Sequence, residues 1–358
     1  MSTPTPLHFW NDFVKLQPLG SLYQTSVWEH FQKQIPGKGK SWMCIVTDPK
    51  KNNHILGGGL IILHSLPFNL SWLECPRGPV FDVTHASAFS PSELEYFFQN
   101  FLEQVQEIAD ANRAVFLRMD PPMTTSNISL VEGYNNLTEK LQFKPAHASY
   151  FPQTTLTIDL TQTPEEILKQ MKSKGRYNIK LAEKHGITIE RINTRTNKEA
   201  IVQFYNLIEQ TAKRDNFFAH NLAYYESMLE ALGESATLFM AYNKQKPVAG
   251  LIATYFADTT TYYYGASSYS DRPLMAPYLL QWHVMLDARS QGYKTYDLLG
   301  IANIDQKTGT PDTSHPLAGV TDFKTKFGGT ILSYLPAKEL VYMPIWYWII
   351  KMRKRLRG

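Results

Sequence analysis

Alternating and helical spacings of apolar residues run along most of the chain and predict a mixed α/β protein. Residues 41–47 and 55–63 read as strands, the second interrupted at Gly57, Gly58 and Gly59. Across 95–112, Phe98, Phe101, Leu102, Val105, Ile108 and Ala109 fall on one face of a helix. Residues 114–119 follow as a strand that stops at Asp120-Pro121-Pro122, because proline brings no N–H to a sheet ladder. A further strand is expected over 154–160. Thr163-Pro164-Glu165-Glu166 then opens a helix, with proline in its first turn and acids near its N-terminus.

The second half repeats this order. Residues 236–243 and 247–255 predict paired strands, 260–265 extends the sheet, 277–291 has a helical period and 293–300 returns as a strand. The segment ending in FLRMDPP (116–122) and the one ending in YDLLGI (296–301) each follow a glycine-containing strand pair. Their offset of about 180 residues suggests two similar α/β domains.

A length of 358 residues fits two domains, and 43% hydrophobic residues exclude disorder. Cys44 and Cys75 lie in no CxxC or CxxH cluster, so a reducing compartment without structural zinc is expected. The first thirty residues lack a signal-peptide core, and the longest apolar run, 340–350, is short of the roughly 20 residues of a spanning helix. A cytoplasmic protein, or one touching a membrane from the cytosolic side, is the expectation.

Net charge is +4, and five cations (Lys351, Arg353, Lys354, Arg355, Arg357) lie in the last eight residues. A second concentration, 161–198, has nine Lys or Arg against four Glu. Within it, Lys172, Arg176, Lys180 and Lys184 recur at i, i+4, i+8 and i+12, one ridge of a helix that Gly186 would end. Four like charges on one ridge favour an anionic partner such as a phosphate backbone; a solvated face is the alternative.

KSKGRYNIKLAEKHGI (172–187) resembles the signature of the Fem aminoacyltransferases, the FemA, FemB and FemX type. The likeness continues in order through Gln24-Thr-Ser-Val-Trp28, Arg77-Gly-Pro-Val80, Leu117-Arg-Met-Asp-Pro121, Thr211-Ala-Lys-Arg-Asp215, Tyr263-Tyr-Gly-Ala-Ser267, Ala276-Pro-Tyr-Leu-Leu-Gln281, Tyr296-Asp-Leu-Leu-Gly300 and Phe323-Lys-Thr-Lys-Phe-Gly-Gly329. It implies an α/β (α+β) fold of two GNAT-like domains. The first would be 1–152 plus about 331–358, the C-terminal segment returning to it. The second would be 153–330, with a basic helix at about 165–185 in place of a long helical arm.

The resemblance also implies transfer of an amino acid of the Gly, Ala or Ser class from aminoacyl-tRNA. The acceptor would be a stem-peptide amine of a peptidoglycan precursor, UDP-MurNAc-pentapeptide or its lipid-linked form. An aminoacyl ester is already activated, so no cofactor or metal is expected, and catalysis reduces to positioning and charge stabilisation. By the resemblance, Lys324 stabilises the transition state and Phe323 helps hold the terminal adenosine; in a strand, Lys326 would share the face of Lys324. Arg214 would grip the acceptor's diphosphate, with Lys33 the nearest lysine after Trp28 to assist it. Tyr263 and Tyr264 would line the acceptor channel, one facing it on an alternating strand, and Asp120 is the candidate general base at the substrate. Lys172, Arg176, Lys180 and Lys184 would meet tRNA. Arg214 could equally be an ordinary salt bridge to Asp215 or Glu209, Asp297 reads as structural, and His185 and His220 as polar surface residues.

Two other readings compete. An acetyl-CoA N-acyltransferase would share the fold, but 272–277 (RPLMAP) lacks both glycines of a pyrophosphate loop. A non-catalytic RNA- or membrane-surface-binding module would need only the basic patches. In the tail, Trp346 and Trp348 suit the headgroup level of an anionic membrane and the cations its charge, which would place the protein peripherally at the inner face. The same aromatics also fit a terminal helix packed onto the first domain.

Overall fold

The computed structural model describes residues 7–83, 90–124, 128–215, 217–305, 310–312 and 314–355. The chain forms two compact units, Met1–Gln153 with Ser333–Gly358, and Thr154–Leu332. The contiguous unit is thus inserted in the sequence of the discontinuous one.

In the discontinuous unit, Ser41–Asp48, His54–Leu66 and Leu70–Cys75 form an antiparallel meander. The helix Pro91–Ala111 crosses over to Ala114–Met119, which pairs parallel to Leu70–Cys75. Lys338–Val341 then inserts antiparallel between Ala114–Met119 and Lys144–Pro145. Phe97, Phe98, Phe101 and Val105 carry the helix's apolar stripe onto Ile61, Leu73 and Leu117. Burial of each large side chain contributes roughly 1.5–3 kcal/mol. That helix starts four residues before the apolar period does, because Ser90 and Glu93 form a capping box and Pro91 sits at the first turn.

The glycine run 57–59 does not interrupt its strand, which continues from His54 to Leu66. A Cβ at Gly57 would lie 2.5 Å from the Val80 carbonyl oxygen, and one at Gly59 would lie 2.6 Å from Cys75 Sγ. The glycines serve close packing on both faces of the strand.

The contiguous unit has the same plan. Ala236–Asn243, Lys246–Phe256 and Thr259–Ser267 form the meander, Ala276–Ser290 crosses over, and Thr295–Gly300 pairs parallel to Thr259–Ser267. Thr154–Asp159 closes antiparallel on Thr295–Gly300, and Ile187–Ile192 lies at the far edge. One face is covered by Ile167, Met171, Ile179 and Ala182 together with Leu280, Val284 and Met285. FLRMDPP and YDLLGI therefore occupy equivalent parallel strands in the two units.

Candidate functional site

The basic segment is two helices, Pro164–Gln170 and Ser173–Lys184, where the period predicts one. The first opens at Thr163-Pro164-Glu165-Glu166 as expected, and the structure adds a capping box between Thr163 and Glu166. Met171 and Lys172 are extended (ψ 146 and 148), and Met171 is buried in the core. The guanidinium of Arg176 donates to the Met171 carbonyl and reaches the Leu168 carbonyl at 3.5 Å, capping the first helix. The four-cation ridge is accordingly corrected. Arg176 is half-buried and occupied, Lys172 is the N-cap of the second helix, and Lys172, Lys180 and Lys184 are exposed.

Phe323 and Lys324 lie at the end of a helix, Ala318–Lys324, which runs into a single 3₁₀ turn, Thr325–Phe327. The strand reading of this segment fails, and so does the shared face. Both lysines are buried, at 9% and 6% exposed, but Lys326 ion-pairs with Asp322 one turn back and Lys324 has a different partner. Its Nζ donates to the Gly300 carbonyl at 2.7 Å and lies 5.5 Å from the Tyr262 ring centroid. Burial lowers the Lys324 pKa to about 8, with Asp297 opposing the shift.

The strand Thr295–Gly300 is shaped for this contact. It carries an extra residue between Asp297 and Gly300, and Leu299 has φ 60. Asp297 accepts the Leu299 N–H at 2.7 Å and the Thr155 hydroxyl, so it holds the kink as well as facing Lys324. Phe323 packs edge-on against Tyr278 at 5.0 Å and Phe327 at 5.3 Å.

The two motifs meet. The Lys172 N–H donates to the Lys326 carbonyl at 3.0 Å, and Lys172 Nζ reaches Thr325 Oγ1 at 3.5 Å. A Cβ at Gly175 would stand 2.5 Å from the Lys326 oxygen, so the glycine of KSKG permits this approach. The lysines of the basic segment thus begin beside the turn that follows Lys324.

Arg214 lies in the last turn of Glu199–Asp215. Its Nε and Nη2 donate to the Asp215 carboxylate at 2.7 and 2.6 Å, and Nη1 reaches the Ser267 carbonyl at 3.5 Å. The neighbouring open cleft of about 570 Å³ is lined by Tyr205, Glu209, Lys213, Ala219, His220 and Asn221, among others. On the adjacent strand, Ile252 pairs with Tyr264 and Ala253 with Tyr262, leaving Tyr263 as a bulge. Simple alternation therefore does not decide between the two tyrosines. Tyr264 Oη is 3.1 Å from Tyr224 Oη, and its ring meets Tyr225 edge-on at 5.3 Å. His220 stacks on Tyr224 at 3.7 Å, so it belongs to an aromatic group rather than an isolated polar surface. Sequence reasoning misses Tyr224 and Tyr225; their adjacency after the Asn221 N-cap is the available signal.

Lys33 and Asp120 lie in the other unit. Lys33 is exposed and pairs with Glu29 at 2.8 Å on its own helix. Asp120 is buried at the end of Ala114–Met119, 3.4 Å from Arg77. Burial raises its pKa to about 6, helped by Glu74 and opposed by Arg77 and Arg118. The QTSVW motif has a packing task there. Gln24 is fully buried, accepts the Leu60 N–H at 2.6 Å and donates to the Pro76 carbonyl at 2.5 Å. Among the described residues, no group of three or more His, Cys, Asp or Glu could hold a metal, and no helix is long and apolar enough to cross a membrane.

The crystal structure of FemX superposes with a TM-score of 0.79 at 20% identity, covering 98% of this chain and 100% of that one. A tandem GNAT protein from the clavulanic acid biosynthesis pathway gives 0.50 at 10% identity, with 94% of both chains covered. The architecture is that of two GNAT-like domains. The model of the FemAB family matches residues 8–246 and 241–355, so the chain belongs to the FemAB family. Lipid II:glycine glycyltransferase of Staphylococcus haemolyticus (strain JCSC1435) is 24% identical over 422 positions, covering 96% of this chain and 94% of that protein. That alignment is longer than the 358 residues here, so the relative carries segments this chain lacks.

Proposed function

We propose that this protein transfers an amino acid of the Gly, Ala or Ser class from aminoacyl-tRNA to a stem-peptide amine of a peptidoglycan precursor. The observation that carries the reading is the junction of the lysine-bearing segment with the Lys324 turn. An RNA backbone lying on Lys172, Lys180 and Lys184 would bring its 3′ end toward a buried ammonium. Membership of the FemAB family and the named activity of the relatives support the acceptor class, and lipid II is the acceptor we favour.

In this mechanism the neutral acceptor amine attacks the ester carbonyl, the amide C–N bond forms and the ester C–O bond breaks. The proton lost by the amine ends on the departing ribose oxygen. Lys324 stabilises that oxygen as negative charge develops. Phe323 supports the terminal adenosine, and Arg214 exchanges its half-exposed Asp215 contact for acceptor phosphate, which guanidinium binds in bidentate fashion. Tyr263 and Tyr264 border the acceptor, and Lys33 and Asp120 are further candidates for acceptor binding. The work is done at the inner face of the membrane, where the C-terminal segment makes a peripheral contact.

The test is transfer of labelled amino acids from a mixture of charged tRNAs to lipid II and to UDP-MurNAc-pentapeptide. Incorporation into either supports the reading, and incorporation into neither, with folded protein, overturns it. Replacing Lys172, Lys180 and Lys184 by glutamine is expected to flatten the dependence of log K for tRNA on log salt. The slope should fall by about 0.7–0.9 for each phosphate that is no longer neutralised. An unchanged slope in a filter-binding titration would return these lysines to a solvated face.

A further inference from the structure

The C-terminal helix, Pro344–Arg355, has two apolar sides with different fates. Its inner side is docked on the discontinuous unit. Tyr347 is 4% exposed, packs with Trp72, Val115 and Phe116, and donates its hydroxyl to Glu339 at 2.5 Å. Docking would be served by that side alone, yet Ile345, Trp348 and Met352 on the other side are 76%, 63% and 38% exposed. Spaced i, i+3 and i+7, they form one stripe about 60° wide. Phe68, 73% exposed on the turn between His54–Leu66 and Leu70–Cys75, joins this surface through Trp346, its ring centroid 5.7 Å away.

Single exposed hydrophobics are ordinary, but three on one helix stripe, with a fourth on a turn that contacts the same helix, are not. The charge pattern says what covers them. Glu339 is the last acid in the chain and is fully buried, and residues 340–358 carry five cations and no carboxylate side chain. Lys351 lies over the Tyr347 ring at 5.5 Å and Arg353 is exposed; the side chains of Lys354, Arg355 and Arg357 lie outside the described residues. A second copy of this chain is a poor occupant, since a two-fold contact would set the same cations face to face. A helix lying flat, with Trp and aliphatic residues beside a cluster of cations interrupted by no acid, matches the interface of an anionic bilayer. At twelve residues the helix is too short to span one.

We infer that Phe68, Ile345, Trp348 and Met352 form a membrane-docking face that inserts between the headgroups of anionic phospholipid, with the flanking cations on their phosphates. This deepens, and rests on, the peripheral contact proposed above. Flotation of the full chain with vesicles of phosphatidylcholine, with and without about one third phosphatidylglycerol, tests it. Wild-type protein should float with the anionic vesicles only, and partitioning of the Ile345→Ser/Trp348→Ser variant should fall at least tenfold at equal thermal stability. Wild type left in the soluble fraction at low salt, or the serine variant floating equally well, would overturn the inference. The transfer assay separates this outcome from the functional reading. The serine variant should keep full activity on soluble UDP-MurNAc-pentapeptide and lose at least tenfold on lipid II in anionic vesicles. Absence of wild-type transfer to both acceptors would sink the activity and leave the flotation result standing.

Discussion

Replacing Lys324 by methionine is expected to lower kcat by about 10²–10³-fold, the loss seen when one oxyanion donor is removed, with little change in acceptor Kd. Methionine keeps the long apolar stem, so the pocket beside Tyr262 stays filled. It removes a cation that burial already penalises, so folding should not suffer. The pH profile identifies which protonation state acts. With the pKa lowered to about 8, the ammonium is lost as pH rises through that value, so a rate that needs the cation declines above pH 8. A rate that instead rises through pH 8 would assign the neutral amine as a base. Stability moves the other way. Between about 8 and the ordinary lysine value of 10.5, the unfolded chain holds a proton that the folded chain has released, so wild-type stability increases with pH there and that of the methionine variant does not.

The largest loss of stability is expected at Glu339. This carboxylate is fully buried and accepts from Arg118 Nε at 2.8 Å, Arg118 Nη2 at 2.6 Å and Tyr347 Oη at 2.5 Å, with His147 Nδ1 2.9 Å away. Arg118 is 2% exposed, lies against the rings of Trp72 and Tyr150 at 4.9 Å each, and its Nη1 is buried without a hydrogen-bond partner among the described residues. Glu339→Ala leaves that guanidinium buried and uncompensated, a change that costs about 3–5 kcal/mol. Urea unfolding should show it as a lower midpoint at similar slope. Pairing the change with Arg118→Met should recover most of the loss, because the desolvated cation is then gone as well. If the single variant unfolds within about 1 kcal/mol of wild type, the ion pair is not what secures the returning strand.

The meander and crossover order was legible because apolar alternation and helical period dominate those segments. What escaped depended on contacts distant in sequence. Lys172 continues the helical period, and only the inward turn of Met171 with the reach of Arg176 breaks the helix there. The bulge at Tyr263 leaves no local mark; the partner strand's register creates it. Gly57, Gly58 and Gly59 look like a strand breaker until Val80, Trp10 and Cys75 are seen pressing on them. At the site, residue types pointed to Lys324 and Arg214. The sequence did not reveal that Lys324 ends a helix and faces a kinked strand, nor that Tyr224 and Tyr225 stand beside Tyr264.

The discontinuity of the first unit bears on how the chain is made. Lys338–Val341 occupies the middle of a sheet whose neighbouring strand, Ala114–Met119, leaves the ribosome far earlier. Arg118 waits for a carboxylate 221 residues downstream, roughly 10–45 s at ordinary elongation rates. The contiguous unit, Thr154–Leu332, is complete before that partner appears, so it can close first and reverse the usual N-terminal-first order. In the interval Ala-Val-Phe-Leu-Arg-Met, buried throughout in the finished sheet, is a bare strand edge with apolar side chains. A nascent-chain holdase that recognises extended apolar segments would find its longest-lived target in this hexapeptide, and slowing translation between residues 120 and 338 should raise the fraction of chains lost to aggregation.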